Sequence, residues 1–183
     1  MERRRWRLQR RRRFGTMVNN MNVARLTRHI FMPRRSLRRA FDEAALDAIE
    51  KAIADTERTH GGEIRVALEA SLDPAELFSD ISPRQRALNA FSHLGVWDTE
   101  LNNGVLIYVL WADRDVEIVA DRGFNGRIGA QEWAEVCHRM EALFSQGSAA
   151  LALIAGVQAA GALISRHFPT ADRNELPDRP TLL

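Results

Sequence analysis

Apolar side chains recur at two different spacings along this chain of 183 residues, and each spacing predicts a different kind of element. Residues 43–59 repeat apolar groups at helical spacing, and Asp42 is placed to cap the first turn. Residues 63–70 alternate polar and apolar side chains in their first half, which predicts a strand. Two more helices are predicted from Pro74 and Pro83, since proline suits the first position of a helix.

A continuous apolar run predicts the central strand of the fold. Residues 104–112 read GVLIYVLWA, which is typical of a strand covered on both faces. A short polar turn separates this run from VEIVA, residues 116–120, so the two segments are expected to form a hairpin. Helical spacing resumes over residues 129–147, and a helix of small side chains is predicted over residues 149–168.

The order of these elements predicts an α/β fold. The first strand and the hairpin are separated by helices, which favours a parallel pair with a right-handed crossover. The hairpin adds an antiparallel neighbour, so we expect a small mixed β-sheet with helices on both faces. The apolar run over residues 149–164 is only 16 residues long. A membrane-spanning helix needs about 20 apolar residues, and we interpret this run as a buried helix of a soluble domain.

Charge divides the chain into unlike parts. Residues 1–40 contain 14 arginines and one acidic residue, whereas the remainder contains 12 basic and 23 acidic residues. We therefore predict a basic, largely disordered arm over residues 1–40, a folded domain over residues 41–168 and an extended tail over residues 169–183. Met21 is an alternative start for the chain.

The basic arm predicts an acidic partner. An anionic membrane surface suits it, because apolar side chains are interspersed among the arginines. Nucleic acid is disfavoured, because the folded domain is itself acidic. The single cysteine, Cys137, fits a reducing compartment, so we expect a cytoplasmic protein, with peripheral attachment to the inner membrane face left open. The arginines assigned to membrane contact are Arg25, Arg28, Arg34, Arg35, Arg38 and Arg39.

Polar side chains are concentrated at one end of the predicted hairpin. A hairpin returns its end to its beginning, so Asp121 and Arg122 should lie near Asn102. Carboxylate and amide oxygens are the ligands that Ca²⁺ prefers, which predicts a site for Ca²⁺ or another divalent cation. Ordinary solvated turns remain the alternative. We assign metal binding to Asp98, Glu100 and Asp121, and further binding contacts to Asn102, Asn103 and Arg122.

Other catalytic chemistry has little support in the sequence. The chain contains no Gly-rich phosphate loop, no His-Glu-x-x-His motif and no Gly-x-Ser-x-Gly motif. The five histidines show no metal-ligand spacing. Cys137 falls on the apolar face of a predicted helix, where a core position is expected rather than a nucleophile. No catalytic residue is assigned.

One segment resembles a known family. Residues 97–123 read WDTELNNGVLIYVLWADRDVEIVADRG, and together with the Trp, Met, Phe and Gly that follow they resemble the TPM domain family. That family takes its name from a thylakoid lumen protein, a photosystem repair protein and a nematode acetylcholine-receptor modulator. The ending, with RHFP at 166–169 and NELPDRP at 174–180, is similar to that of short bacterial members without a signal peptide or anchor.

The resemblance covers about residues 41–168 and implies a compact α/β sandwich. It also implies calcium bound by acidic loops, here at Asp98, Glu100 and Asp121, and it includes a plant member described as an acid phosphatase. Two hypotheses follow. The first is a non-catalytic module near the cell envelope that binds a cation or an unidentified protein partner. The alternative is a metal-assisted phosphatase that hydrolyses phosphomonoesters, in which Arg122 clamps the phosphoryl oxygens.

Overall fold

A four-stranded mixed sheet forms the centre of the computed structural model, which describes residues 23–170 and 174–183. Its strand order is β3-β2-β1-β4. β1 pairs in parallel with β2 and β4, and β2 pairs antiparallel with β3, so the predicted crossover and hairpin are both confirmed. The strands are β1 (Glu63–Glu69), β2 (Gly104–Leu110), β3 (Asp115–Ala120) and β4 (Thr181–Leu182).

Seven α-helices accompany the sheet within the described residues. The side chain of Asp42 accepts the N–H of Ala45, and that of Ser82 accepts the N–H of Gln85, so both predicted caps begin their helices. No helix in this part of the chain is both long and apolar enough to cross a membrane. The helices are α1 (Val23–Phe31), α2 (Arg34–Ala40), α3 (Glu43–Glu57), α4 (Pro74–Phe78), α5 (Pro83–His93), α6 (Ala130–Ser145) and α7 (Ala149–Ile164).

Helices cover both faces of the sheet, and each face has its own apolar cluster. All seven residues of β2 are buried. Val105, Ile107 and Val109 contribute to the cluster under α3, α6 and α7, whereas Leu106 and the other alternate residues contribute to the cluster under α4 and α5. Burial of both faces is the physical reason why the sequence of β2 has no polar–apolar alternation.

Residues 23–40 differ from the prediction of a disordered arm, because they form α1 and α2; residues 1–22 lie outside the described residues. Contacts with Asp113, in the turn between β2 and β3, hold α1 against the domain and explain the difference. Arg25 Nε donates to Asp113 Oδ2 at 2.9 Å, and His29 Nε2 lies 3.1 Å from Asp113 Oδ1. His29 Nδ1 also accepts the N–H of Leu72 at 2.9 Å. These contacts join α1 to distant parts of the chain, which local composition does not reveal.

The described part of the tail, residues 174–183, is tied to the domain. Arg65 Nη2 donates to the Thr181 hydroxyl at 2.7 Å, and Arg65 Nη1 donates to the carbonyl of Pro177. Arg179 lies across α3, where it contacts carboxylates at 2.6 to 2.8 Å. Within the tail, Thr181–Leu182 forms the edge strand β4 beside β1. The carboxylates that contact Arg179 are those of Glu43, Asp47 and Glu50.

Candidate functional site

The structure brings together four of the six predicted site residues where β2 begins and β3 ends. The N–H of Asp121 donates to the carbonyl of Gly104 at 2.9 Å. Arg122 Nε donates to Asn102 Oδ1 at 2.6 Å. Asn103 directly precedes Gly104, so it lies in the same junction. We call Asn102, Asn103, Asp121 and Arg122 the polar edge.

Two backbone features hold this edge together. Asn102 has a φ of +54°, a left-handed conformation that asparagine tolerates better than most residues. The N–H of Gly123 donates to the carbonyl of Asn102 at 2.9 Å. A Cβ at Gly123 would lie 2.9 Å from the carbonyl oxygen of Leu101, so only glycine allows the two segments to approach this closely.

Asn103 is the most buried residue of the polar edge, with no exposed surface. Its Nδ2 donates to the carbonyl of Gly61, and its N–H donates to the Thr99 hydroxyl at 3.0 Å. Its carbonyl accepts the N–H of Glu63 at 3.1 Å. Its Oδ1, in contrast, is buried and has no hydrogen-bond donor among the described residues.

Like Asn103, Asp121 has a buried side-chain oxygen without a hydrogen-bond donor among the described residues. Its Oδ1 accepts the N–H of Arg122 at 2.7 Å and so caps the short 3₁₀ turn Arg122–Phe124. Its Oδ2 is buried and has no donor within the described part of the chain. Leaving a buried acceptor unpaired costs about 1–3 kcal/mol, and more for a charged group. Asp121 Oδ2 and Asn103 Oδ1 are therefore the two buried acceptors of the polar edge that have no donor among the described residues.

Asp98 and Glu100 are not part of the polar edge. Both are exposed on the loop before β2. The N–H of Glu100 donates to the carboxylate of Glu175 at 3.1 Å, which fixes the loop backbone. Among residues 23–170 and 174–183, no three His, Cys, Asp or Glu side chains form a group that could hold a metal ion. The three predicted metal ligands therefore do not form one such group among the described residues, and the assignment of metal binding to them stays a prediction.

The sequence prediction gave no role to two carboxyl groups beside the polar edge, those of Glu57 and Glu63. Glu63 is 3% exposed, and its Oε2 accepts the N–H groups of Glu175 and Leu176. Glu57 Oε1 accepts the N–H of Ile64 at 2.7 Å. Burial raises the pKa of Glu57 to about 8, and the carboxylates of Glu63 and Asp178 raise it as well. A glutamate at the first position of a buried strand was the available signal.

We predict that Glu57 makes the protein less stable as the pH rises. Between about pH 4.5 and about pH 8 the folded protein retains the Glu57 proton that the unfolded chain has lost. Stability therefore falls with rising pH, by up to about 1.4 kcal/mol per pH unit. Urea unfolding at several pH values should show a flatter dependence for Glu57→Gln than for the wild type. The exposed Glu135→Gln is the matched control, and equal slopes in all three proteins would contradict the prediction.

Cys137 occupies a core position rather than a reactive one. It packs against the apolar cluster under α6 and α7. Burial raises the pKa of its thiol to about 12, and the nearby carboxylates of Glu117 and Glu141 raise it further. The thiol is therefore protonated at neutral pH and cannot act as a thiolate nucleophile.

Comparisons with known proteins agree with this architecture. The family model of the TPM domain matches residues 37–163. The NMR structure of the BA42 protein from the psychrophilic bacterium Bizionia argentinensis is 32% identical, with a TM-score of 0.68 over 76% of this chain and 93% of that chain. The N-terminal domain of a P. gingivalis protein is 19% identical, with a TM-score of 0.58 over 73% and 82% of the chains, and is similar in fold alone. No curated protein matches the chain.

Proposed function

Because this chain belongs to the TPM domain family, we propose that it is a non-catalytic binding module whose polar edge takes up a divalent cation such as Ca²⁺. One observation carries the proposal: Asp121 Oδ2 and Asn103 Oδ1 are buried oxygens without donors among the described residues. Carboxylate and amide oxygens are the ligands that hard cations select. In this proposal each of the two residues supplies one oxygen to the ion.

The charge of Asp121 supports a cation over a solvated loop. Arg122 could have neutralised this carboxylate, but its Nε donates to Asn102 instead. Within the described residues, no basic side chain lies within 4.0 Å of Asp121. A partly buried carboxylate without a counterion is costly. A bound cation would remove that cost directly.

Calcium titration calorimetry on the full chain tests the proposal. We expect saturable binding that Asp121→Asn weakens at least tenfold, or about 1.4 kcal/mol, because the ligand charge is lost. Asp98→Asn is the matched control, since it removes the same charge from the exposed loop, and it should change the dissociation constant by less than about threefold. Absence of binding, or unchanged binding in Asp121→Asn, would contradict the proposal. Equal loss in both variants would instead restore Asp98 as a ligand.

A phosphatase is the second candidate, and the position of Arg122 favours it. This side chain is exposed at the rim of the polar edge, and the bond from its Nε to Asn102 orients the guanidinium group. An oriented guanidinium suits phosphoryl oxygens, and a cation at Asp121 would assist attack by water. Under our proposal, chelator-sensitive hydrolysis of p-nitrophenyl phosphate should be absent. Hydrolysis lost in Arg122→Gln but kept in Arg114→Gln, an exposed arginine at the opposite end of the hairpin, would favour the phosphatase.

A further inference from the structure

Helix α1 differs from an ordinary surface helix, because Arg25 and His29 face the domain beside Leu26 while three other apolar residues face solvent. The side chain of Arg25 is only 13% exposed and His29 is 2% exposed. In contrast, Val23, Ile30 and Phe31 are 64%, 58% and 79% exposed. These three residues are spaced i, i+7 and i+8, so they form one apolar stripe along the helix.

Helix α2 follows α1 along the chain and adds positively charged side chains to the exposed surface beside the apolar stripe. Its inward side is defined by Leu37, which is buried, and by Ser36, whose hydroxyl accepts Trp111 Nε1–H at 3.1 Å. The four arginines on the other side are exposed, and within the described residues none of them forms an ion pair or a hydrogen bond. We define the α1–α2 face as Val23, Ile30, Phe31, Arg34, Arg35, Arg38 and Arg39.

We propose that the α1–α2 face docks on an anionic lipid surface. Phe31 and Ile30 can enter the headgroup boundary while the neighbouring arginines contact lipid phosphates. Charge complementarity supports this occupant. The rest of the chain, residues 41–183, holds 23 acidic and 12 basic residues, so an anionic surface repels it and orients the domain with its α1–α2 face towards the lipid. Nucleic acid would use the arginines but would leave Phe31 without an apolar partner.

This surface is narrower than the one that the sequence predicted. Arg25 and Arg28 were assigned to membrane contact, but both donate to Asp113, Arg25 at 2.9 Å and Arg28 at 3.2 Å. Arg25 also donates to the carbonyl of Ile81 at 2.9 Å. These contacts hold α1 against the domain, and Arg25 contributes more to them than Arg28, whose side chain is 54% exposed.

Vesicle sedimentation with the full chain tests the charge of the face. We expect binding to vesicles of phosphatidylglycerol and phosphatidylcholine, and much weaker binding to phosphatidylcholine alone. Changing Arg34, Arg35, Arg38 and Arg39 together to Gln should reduce the partition coefficient at least tenfold. The matched control changes four exposed arginines elsewhere to Gln and should stay within about threefold of the wild type. The control positions are Arg58, Arg114, Arg139 and Arg166.

The apolar stripe provides the second arm of the test. Phe31→Ser should lower vesicle binding roughly tenfold without changing the thermal unfolding, because the side chain is exposed. Three results would overturn the proposal: no binding to anionic vesicles, equal losses in the two four-arginine variants, or binding of a polyribonucleotide that depends on Arg34–Arg39 but not on Phe31. The protein could instead self-associate without binding vesicles. If Phe31→Ser abolished that self-association, the face would be assigned to contact with a second copy of the chain.

Discussion

Replacing Glu69 with alanine is expected to lower the free energy of unfolding by about 3–5 kcal/mol, because it breaks a buried ion pair from one side. Glu69 ends β1 with a side chain that is 7% exposed. It accepts both Arg86 Nε at 2.8 Å and Arg86 Nη2 at 2.9 Å, which ties α5 to the sheet. It also accepts the hydroxyl of Tyr108, which has no exposed surface. The alanine variant leaves the guanidinium and the phenol without their shared acceptor.

Two further variants make this expectation specific. Burial raises the pKa of Tyr108, so its hydroxyl is a donor at any ordinary pH. Tyr108→Phe removes only that donor and keeps the Arg86 pair, so it should cost about 1 kcal/mol. Glu69→Gln retains acceptor and shape without the charge and should fall between the two. Chemical unfolding measures all three. A Glu69→Ala cost no larger than that of Tyr108→Phe would show that the ion pair contributes nothing.

Replacing Asp113 with alanine is expected to have a comparable cost, about 3–5 kcal/mol, because it removes the acceptor that anchors α1. The Asp113 side chain is 8% exposed and contacts both Arg25 and His29. His29 Nδ1 accepts the N–H of Leu72, and His29 Nε2 lies 3.1 Å from Asp113 Oδ1. Without Asp113 the Nε–H of Arg25 loses its acceptor, and the mostly buried guanidinium loses the charge of this buried carboxylate.

Hydrogen exchange at the amide of Leu72 distinguishes local detachment of α1 from global unfolding in Asp113→Ala. If α1 detaches, the N–H of Leu72 loses its acceptor on His29 and should exchange faster, while the amides of β2 keep their protection. Arg28→Gln is the control, because that side chain is 54% exposed and its loss should cost at most about 1 kcal/mol. Unchanged protection of Leu72 in Asp113→Ala would contradict the proposed anchor.

Local patterns were sufficient for most of the fold. The side-chain caps at Asp42 and Ser82 act over three residues, so they are legible in the sequence. The unbroken apolar run of β2 reports burial on both faces, and the crossover rule then places β1 parallel to it. The two-residue strand β4 was not predicted, because Thr181 becomes a strand residue only through pairing with β1.

The sequence predicted where the candidate site lies but not which of its atoms form hydrogen bonds. Hairpin closure correctly placed Asp121 and Arg122 beside Asn102. Hairpin closure does not predict which side chains form hydrogen bonds with one another. Arg122 donates to Asn102 and leaves Asp121 without a counterion among the described residues. The burial of Asn103 was equally hidden, because it depends on contacts with Gly61 and Thr99.

By itself the sequence determined the mixed sheet, the helices on both of its faces and the polar end of the hairpin, because each follows from periodicity, caps and turn chemistry within short windows. The tertiary structure decided which polar atoms find partners. Asn103 meets a residue 42 positions away, Arg25 one 88 positions away and Arg65 one 112 positions away. Contacts at such separations carry no local signal, so the unpaired oxygens of Asn103 and Asp121 and the outward-facing apolar stripe of α1 became apparent only in the folded chain.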